Sequence, residues 1–248
     1  MSYEPVAHSS TALAEKTAML EQTLALIAHD FMPAVFASSL SIEDGVVTDA
    51  IQRAAPAIRI FTLDTGRMHA DTLALIEALE HRYAMRIRVY RPDPVAVDAY
   101  VNAHGRDAFY ASVELRKRCC ELRKLEPLRR ALAGQRAWIT GLRREQSITR
   151  TALLQQEYDS VHGLMKFNPL VDWSEDEVWA YTLTHDVPYN RLYDQGYRSI
   201  GCAPCTRPTV TGEDVRAGRW WWEQAESREC GLHVGPDGKL ARIREVTP

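Results

Sequence analysis

The sequence has none of the features that mark a secreted or membrane-spanning chain. Its first six residues contain no basic segment followed by an apolar run, so they do not predict a secretory signal. The longest uncharged stretch, residues 31–42, has only 12 residues and is too short for a membrane-spanning helix. No cysteine lies in the first 118 residues, and without an export signal a disulfide framework is not expected. We therefore expect a cytoplasmic protein without membrane contact.

Glycine and proline are not enriched. The 248 residues include only 13 Gly and 12 Pro, which excludes a collagen-like or low-complexity chain. Instead, 46% of the residues are hydrophobic and 25% are charged, as in an ordinary globular protein. The length suits one large domain or two small ones and is sufficient to bury a sizeable core.

Charge is unevenly distributed along the chain. The formal net charge is −3, but residues 116–150 contain eleven Lys and Arg against three Glu, a net charge of +8. The rest of the chain therefore carries −11. A locally basic stretch in an acidic protein favours a specific anion site over a surface that coats nucleic acid, so we expect no nucleic-acid partner.

Short apolar runs alternate with helical patterns along the sequence. The runs predict buried strands at residues 34–37, 58–61, 87–90 and 137–140. Apolar spacing and caps predict helices at residues 10–27, 69–83, 119–132 and 174–184. A further helix should follow the loop at residues 38–45 and end at about residue 55. This alternation predicts an α/β fold with a doubly wound, mostly parallel sheet. The loops after the first, second and fourth strands should then meet at the carboxyl edge, where such folds bind ligands.

The cysteines form two pairs and one single residue. Cys119-Cys120 and Cys202-x-x-Cys205 are separated by 82 residues, and four thiolates can hold a zinc ion or an iron–sulfur cluster. Adjacent cysteines favour the cluster, because its several iron atoms let neighbouring side chains take different corners. Two alternatives stay open: the first pair as buried apolar side chains, and the second as a thioredoxin-like dithiol.

The fifth cysteine, Cys230, lies 18 residues from the end of the sequence, beside Arg228 and near His233. Cationic neighbours lower the pKa of a thiol and so favour a nucleophilic thiolate. An incidental surface thiol is the alternative. Cys230 is therefore a candidate nucleophile.

The loop at residues 38–45 joins a predicted strand to a predicted helix. Its serine hydroxyls, backbone N–H groups and helix dipole could hold a phosphate. It is neither a Walker A loop nor a Gly-x-Gly-x-x-Gly loop, and serine-rich turns are also common as simple helix caps. Taken alone, this loop indicates an anion site only weakly.

A basic loop follows the fourth predicted strand and contains Arg143, Arg144 and Arg150. Planar guanidinium groups can bind a phosphate or sulfate through two parallel hydrogen bonds, although a solvated surface loop is the alternative. Arg216 and Arg219 precede three consecutive tryptophans, which indicate a packed anchor more than a platform for stacking bases.

Together these motifs resemble the phosphosulfate reductases of sulfate assimilation, over residues 35–233. Residues 229–233, Glu-Cys-Gly-Leu-His, resemble the family's catalytic signature. The two cysteine pairs resemble the four-cysteine [4Fe–4S] motif of the adenylyl-sulfate (APS) reductase branch, which the phosphoadenylyl-sulfate (PAPS) branch typically lacks. Residues 38–44 resemble the degenerate pyrophosphate loop of the adenine-nucleotide hydrolase-like (PP-loop) fold, without the paired glycines of ATP-cleaving members. Residues 63–66 resemble the family's nucleotide-side motif.

The resemblance implies an enzyme with the PP-loop fold that reduces APS to sulfite and AMP. Cys230 would attack the sulfur of APS and expel AMP, leaving the thiosulfonate Cys–S–SO₃⁻. Thioredoxin or a glutaredoxin-like thiol donor would then release sulfite. A [4Fe–4S] cluster would be held by Cys119, Cys120, Cys202 and Cys205. The resemblance also implies a homo-oligomer.

The resemblance assigns roles to further residues. The phosphosulfate would be neutralised by Lys124, Arg150, Arg216 and Arg219, with Arg143 and Arg144 as weaker candidates. The adenosine part would contact Ser38, Ser39, Leu63 and Gly141. Residues 1–192 would form a nucleotide-binding α/β domain that includes the first cysteine pair. Residues 193–248 would form a loop-rich C-terminal extension of the same globular unit, with the second pair, two of the arginines and Cys230.

Three alternatives stay open. A cluster-containing enzyme could reduce PAPS, or both substrates, because a 3′-phosphate needs only one more cation nearby. A sulfur-transferring, tRNA-modifying ATP pyrophosphatase with a metal site would need a glycine-rich loop, which the sequence lacks. A zinc-stabilised binding module without catalysis would be colourless, whereas an iron–sulfur protein is brown.

Overall fold

The computed structural model describes residues 10–147 and 150–223 of the chain. The helices are α1 (Ser10–Asp30), α2 (Ile42–Ala54), α3 (Ala70–Tyr83), α4 (Pro94–His104), α5 (Val113–Cys120), α6 (Glu126–Leu132) and α7 (Glu175–Thr184). The strands are β1 (Ala34–Ser38), β2 (Arg59–Leu63), β3 (Arg88–Tyr90), β4 (Ala137–Ile139), β5 (Gln156–Asp159) and β6 (Leu164–Phe167). A π-helical turn, Glu121–Leu125, joins α5 to α6, and one of the short 3₁₀ turns covers Ala203–Cys205.

The strands of these residues form one six-stranded sheet in the order β3-β2-β1-β4-β6-β5. All neighbouring pairs are parallel except the edge pair of β5 and β6. Phe36, at the centre, pairs with Ile60 of β2 on one side and Ile139 of β4 on the other. The predicted α/β fold with a mostly parallel sheet is therefore confirmed, and the order of strands along the chain reverses between β1 and β4.

Both faces of the sheet are covered, because successive strand residues point to opposite sides. Phe36 belongs to the larger core, together with residues of α1, α2, α3 and α7. Its neighbour Val35 belongs to a smaller core on the other face, where Trp138 packs with Leu128 and Leu132 of α6. In the described part of the chain, no helix combines the length and the apolar character needed to cross a membrane.

The hairpin of β5 and β6 is not predicted from the sequence. β6 is mostly buried beside β4, but β5 is only half-buried and contains Glu157 and Asp159, residue types that are depleted in strands. The hairpin gains an ion pair instead, in which Lys166 Nζ lies 2.7 Å from Glu157 Oε1. An edge strand stabilised in this way leaves no alternating apolar pattern to detect.

The helix predicted over residues 119–132 begins earlier and is interrupted. It starts at Val113, where Ser112 Oγ accepts the N–H of Leu115, and it widens into the π turn after residue 120. Pro127 explains the interruption, because proline has no N–H to donate to the carbonyl of Arg123 and its ring clashes with that carbonyl. The π turn carries residues that line the site described next.

Candidate active site

A cavity of about 230 Å³ opens at the carboxyl ends of β1, β2 and β4, and we call it the edge cavity. It lies where the strand order reverses between β1 and β4, the usual position of a ligand in a doubly wound fold. Nine of the ten predicted substrate-binding residues line it: Ser38, Ser39, Leu63, Lys124, Gly141, Arg143, Arg150, Arg216 and Arg219. Arg144 is not among them.

One wall of the edge cavity is the loop between β1 and α2, which folds around the carboxylate of Asp44. Asp44 Oδ2 accepts hydrogen bonds from Ser39 N–H and Ser39 Oγ, both at 2.6 Å, and from Ser41 Oγ at 3.2 Å. Asp44 is only 4% exposed, and this burial raises its pKa to about 6 against the lowering effect of the Ser39 bonds. Asp44 is thus ionised at neutral pH.

The loop after β4 lies directly against the same carboxylate. A Cβ atom on Gly141 would lie 2.3 Å from Asp44 Oδ1 and 3.2 Å from Glu43 Cβ. Only glycine allows the backbone to come this close. Asp44 therefore lies between the two loops that leave the central strands β1 and β4.

Arg143 and Arg144, in the loop after β4, both form ion pairs with carboxylates of the chain. Arg143 is buried, and its Nη2 and Nε lie 2.9 Å and 3.1 Å from Glu43 Oε1. Its charge is therefore balanced by Glu43 within the wall of the cavity. Arg144 forms an ion pair with Asp172 and donates to Leu153 O at 2.8 Å. Arg144 does not line the edge cavity, so its predicted contact with the substrate stays an untested prediction.

Four cations also line the edge cavity, Lys124, Arg150, Arg216 and Arg219, and we call them its cationic wall. Arg150 and Arg219 are 8% and 7% exposed. Arg219 Nη1 donates to Ile200 O at 3.0 Å, and its Cζ lies 4.6 Å from the centre of the Trp220 ring. Gly201 leaves room for this side chain, since a Cβ there would lie 2.5 Å from Arg219 Nη2. Arg219 is therefore fixed in place before any anion binds.

A second, smaller cavity adjoins the first, and we call it the cysteine cavity. The four cysteines predicted to bind metal all line it: Cys119, Cys120, Cys202 and Cys205. Three residues, Lys124, Cys202 and Trp220, line both cavities and so form the wall that the cavities share. The cationic wall of the edge cavity is thus in contact with the cysteines.

Local structure explains why cysteines so far apart in the sequence meet. The first pair ends α5, and the second pair flanks a short turn, Ala203–Cys205. Ala203 N–H donates to Arg67 O at 2.7 Å, and Thr65 Oγ1 lies 3.2 Å from Cys202 Sγ. The loop that follows β2 therefore holds the second pair in place.

The chemistry of these thiols suits metal ligands better than free nucleophiles. Burial raises the pKa of Cys119 and raises that of Cys205 to about 12, so without a bound cation both thiols stay protonated at neutral pH. In residues 10–147 and 150–223, no three His, Cys, Asp or Glu side chains are grouped so as to hold a metal ion. Four thiol ligands around one cavity match the donor set of an iron–sulfur cluster, which spans more space than one zinc ion.

Cys230 lies outside the described residues. The described part ends at Glu223, whose carboxylate lies within 2.8 Å of Arg116 Nη2 and 2.9 Å of Arg116 Nε. Both side chains are almost fully buried, and Arg116 also lines the cysteine cavity. The described part of the chain therefore ends beside the cavity that the four cysteines line.

Several residues of the two cavities had no individual role assigned from the sequence. Thr65 and Arg123 are joined by a 2.7 Å hydrogen bond from Arg123 Nη1 to Thr65 O beside the cysteines. Trp220 lies in the shared wall with a left-handed backbone, φ 42°. Asp44 was part of a recognised loop but had no assigned role. The one signal for its position was the presence of three serines in the same loop, Ser38, Ser39 and Ser41, because hydroxyl groups can donate hydrogen bonds to a carboxylate.

The fold and the site together define a doubly wound α/β protein with a cavity for an anionic ligand beside four cysteines. Over residues 33–208 the chain matches the phosphoadenosine phosphosulfate reductase domain, and it belongs to this family. The family expected from the cysteine and Glu-Cys-Gly-Leu-His motifs is thus confirmed.

Similar proteins agree with this assignment. The chain is 57% identical over 227 residues to an adenosine 5′-phosphosulfate reductase of Neisseria meningitidis serogroup A, covering 91% of this chain and 93% of the relative. It is 56% identical over 225 residues to the enzyme of the same name from Allochromatium vinosum, covering 91% and 88%.

Two solved structures share the fold. A phosphoadenylyl-sulfate reductase from Candida auris, in a phosphate complex, has a TM-score of 0.67 and 25% identity, covering 82% of this chain and 100% of that one. An FMN adenylyltransferase from Candida glabrata, with FAD and pyrophosphate, has a TM-score of 0.55 and 14% identity, covering 90% and 80%. The second likeness shows the fold alone, and it supports the predicted PP-loop architecture.

Replacing Asp44 by Asn should make the protein more stable at pH 8. Its pKa is about 6 in the folded chain against an ordinary 3.8, so the ionised carboxylate destabilises the fold by about 3 kcal/mol. This destabilisation is absent below pH 3.8 and is complete above pH 6. We expect Asp44→Asn to raise the free energy of unfolding by about 1–3 kcal/mol at pH 8, and by much less at pH 4.5. Urea unfolding at both pH values measures this, and a less stable variant at pH 8 would contradict it.

Proposed function

We propose that the protein reduces adenosine 5′-phosphosulfate to sulfite and AMP in sulfate assimilation. The observation that carries the proposal is the wall shared by the two cavities, where Lys124 and Cys202 line both the edge cavity and the cysteine cavity. The relatives named adenosine 5′-phosphosulfate reductase, more than half identical over most of the chain, support it.

The charge distribution supports one orientation of the substrate. The adenosine part would lie against the uncharged groups at the ends of β1, β2 and β4, namely Ser38, Ser39, Leu63 and Gly141. The phosphosulfate would face the cationic wall, formed by Lys124, Arg150, Arg216 and Arg219. Preorganised cations of this kind stabilise the negative charge that accumulates when an anionic thiolate meets an anionic sulfate.

Cys230 would supply the nucleophile. Its thiolate attacks the sulfur of APS, an S–S bond forms, and the bond from sulfur to the bridging oxygen breaks, so that AMP leaves with that electron pair. A thiol of an external dithiol protein such as thioredoxin then attacks Cys230 Sγ, and sulfite leaves with the electron pair of the S–S bond. The second thiol of the donor resolves the mixed disulfide, so both electrons come from the donor and Cys230 is regenerated.

The chain length permits this role for Cys230. Cys230 follows Glu223 by seven positions in the sequence, and seven residues of extended chain span at most roughly 24 Å. Glu223 is anchored to Arg116 beside the cysteine cavity. The sulfate end of the edge cavity, next to the same cysteines, is consequently within reach.

The four cysteines would hold a [4Fe–4S] cluster. When bound, the cluster would supply positively charged iron next to the sulfate end of the substrate, without donating the electrons of the reaction. Lys124, in the shared wall, would lie between cluster and substrate. On the same family likeness we propose a cytoplasmic location, a protein thiol donor and a homo-oligomer. We also propose a C-terminal extension that begins at residue 193.

The pair of variants Cys230→Ser and Cys202→Ser separates the two cysteine roles. Cys230→Ser should lower sulfite release from APS at least about a thousandfold, because the nucleophile is lost, while AMP binding and iron content stay near wild type. Turnover is measured with thioredoxin as donor, and PAPS is assayed beside APS to decide between the two substrates. Retained turnover would remove Cys230 from the mechanism.

Cys202→Ser should lose iron and activity together, because a ligand in the shared wall is removed. Iron is measured by chemical analysis and by the brown absorption of the purified protein, with Cys230→Ser as the matched control that keeps its iron. A Cys202→Ser variant with full activity and no iron would show that the cluster is not required. Wild-type protein that contains zinc and no iron would contradict the cluster itself.

A further inference from the structure

We propose that Arg116 and Glu223 are positioning residues for Cys230: their buried ion pair fixes where the last segment of the chain leaves the cysteine cavity, and so determines how readily Cys230 reaches the substrate. This inference rests on the proposed function, because it concerns the step in which Cys230 attacks sulfur. Neither Arg116 nor Glu223 lines the edge cavity, so the role we assign to them is not one of substrate contact.

The guanidinium of Arg116 holds the carboxylate of Glu223 through two parallel hydrogen bonds. Arg116 Nε lies 2.9 Å from Glu223 Oε1, and Arg116 Nη2 lies 2.8 Å from Glu223 Oε2. The side chain of Arg116 is fully buried, and that of Glu223 is 4% exposed. Two bonds of this kind fix the relative orientation of the planar groups as well as their distance. Glu223 is therefore held in one place and in one orientation.

The charges of this pair are a poor source of stability. Taking both groups out of water costs free energy that their attraction repays only in part, so an apolar pair of similar volume is often as stable. A buried ion pair does demand a specific geometry, because a charge left unpaired in the interior is strongly destabilising. We therefore attribute the pair to the orientation of the chain rather than to its stability.

The pair connects Glu223 to the first cysteine pair. Arg116 lies one helical turn before Cys120 in α5, and its side chain also donates a hydrogen bond to Cys120. Arg116 and Cys120 both line the cysteine cavity. The end of the described chain is thus held by the helix that carries two of the proposed cluster ligands.

The second cysteine pair holds the turn that precedes Glu223. Trp220 N–H donates to Cys205 O at 3.1 Å, and Glu223 N–H donates to Trp220 O at 2.8 Å. Arg116 Cζ lies 4.7 Å from the centre of the Trp220 ring, within the range of a cation–π contact. Residues 220–223 are consequently fixed by contacts with both cysteine pairs.

The backbone of Trp220 shows that this turn is held against a local preference. Its φ of 42° is left-handed, a conformation that bulky residues seldom adopt and that persists only where surrounding contacts impose it. Without the ion pair we expect the turn to relax and the chain to leave Glu223 in another direction. Cys230 follows seven positions later, and a misplacement of about 1 Å can cost about a hundredfold in rate.

The variant Glu223→Gln tests the inference, because glutamine keeps the shape of the side chain and removes its charge. Glu157→Gln is the matched control, since Glu157 forms another buried ion pair, 2.7 Å from Lys166, in the hairpin of β5 and β6. The double variant Arg116→Met/Glu223→Met leaves no unpaired charge, so it should fold even if Glu223→Gln does not. Metal content and AMP binding are measured in each protein, and rates are expressed per metal-loaded chain.

Two readouts separate the position of the chain from the chemistry. The first is hydrogen exchange of the Trp220 and Glu223 amides, followed by mass spectrometry of peptides from residues 216–223, which needs no substrate. The second is the rate at which APS transfers SO₃ to Cys230 without a thiol donor, measured from the mass of the intact chain. A range of APS concentrations separates the rate at saturation from the apparent affinity.

We expect both amides to exchange at least about tenfold faster in Glu223→Gln and in the double variant than in the wild type. The rate of transfer at saturating APS should fall at least about tenfold in both, because Cys230 is less often in place. The APS concentration at half-maximal rate should change less than about threefold. Glu157→Gln should match the wild type in both readouts.

Wild-type transfer rates in metal-loaded Glu223→Gln would overturn the inference. A double variant with wild-type rates would also overturn it, because the pair would then serve stability alone. An equal loss in Glu157→Gln would do the same, since any buried ion pair would then have this effect. A wild type that takes up no SO₃ on Cys230 would overturn the proposed function and the inference with it, whereas the variant outcomes overturn the inference alone.

Discussion

The parallel pairing of β1 with β4 at the centre of the sheet is the constraint on which the site depends. It brings the loop at Ser38 and the loop at Gly141 to one edge and leaves a gap between them, because the chain turns away in opposite directions from the two strands. Asp44 fills that gap, and Gly141 can approach only because it has no side chain. The cavity, its polar wall and its opening toward the cysteines all follow from this arrangement.

The second organising feature is the contact between two different cavities. Lys124 lies in a π turn that Pro127 imposes directly after the first cysteine pair, and Cys202 lies beside the loop after β2. The same short stretches of chain therefore place both the cysteines and cations that line the edge cavity. This coupling explains physically why a strongly basic stretch and two cysteine pairs occur together in an acidic protein.

The sequence predicted β1, β2, β3 and β4 to within two residues, because each lies in a short, mostly apolar run. It also placed four cysteines that line one cavity. It did not separate the arginines of the loop after β4. Arg143 lines the cavity and pairs with Glu43, which lies 100 residues away in the sequence. Arg144 pairs with Asp172 outside the cavity, 28 residues away. The difference between the two arginines therefore depends on tertiary partners. The place of Asp44 between the two loops was missed for the same reason, since it needs the position of Gly141.

The central claim is that Cys230 takes the sulfonate of the substrate beside the cationic wall. The most direct test is to incubate the holoenzyme with APS in the absence of any thiol donor and to measure the mass of the intact chain and of its peptides. The account predicts the addition of one SO₃ group, located on Cys230, with release of AMP and reversal by thioredoxin. AMP release without added mass, or a sulfonate on any of the four cysteines of the cysteine cavity, would contradict it.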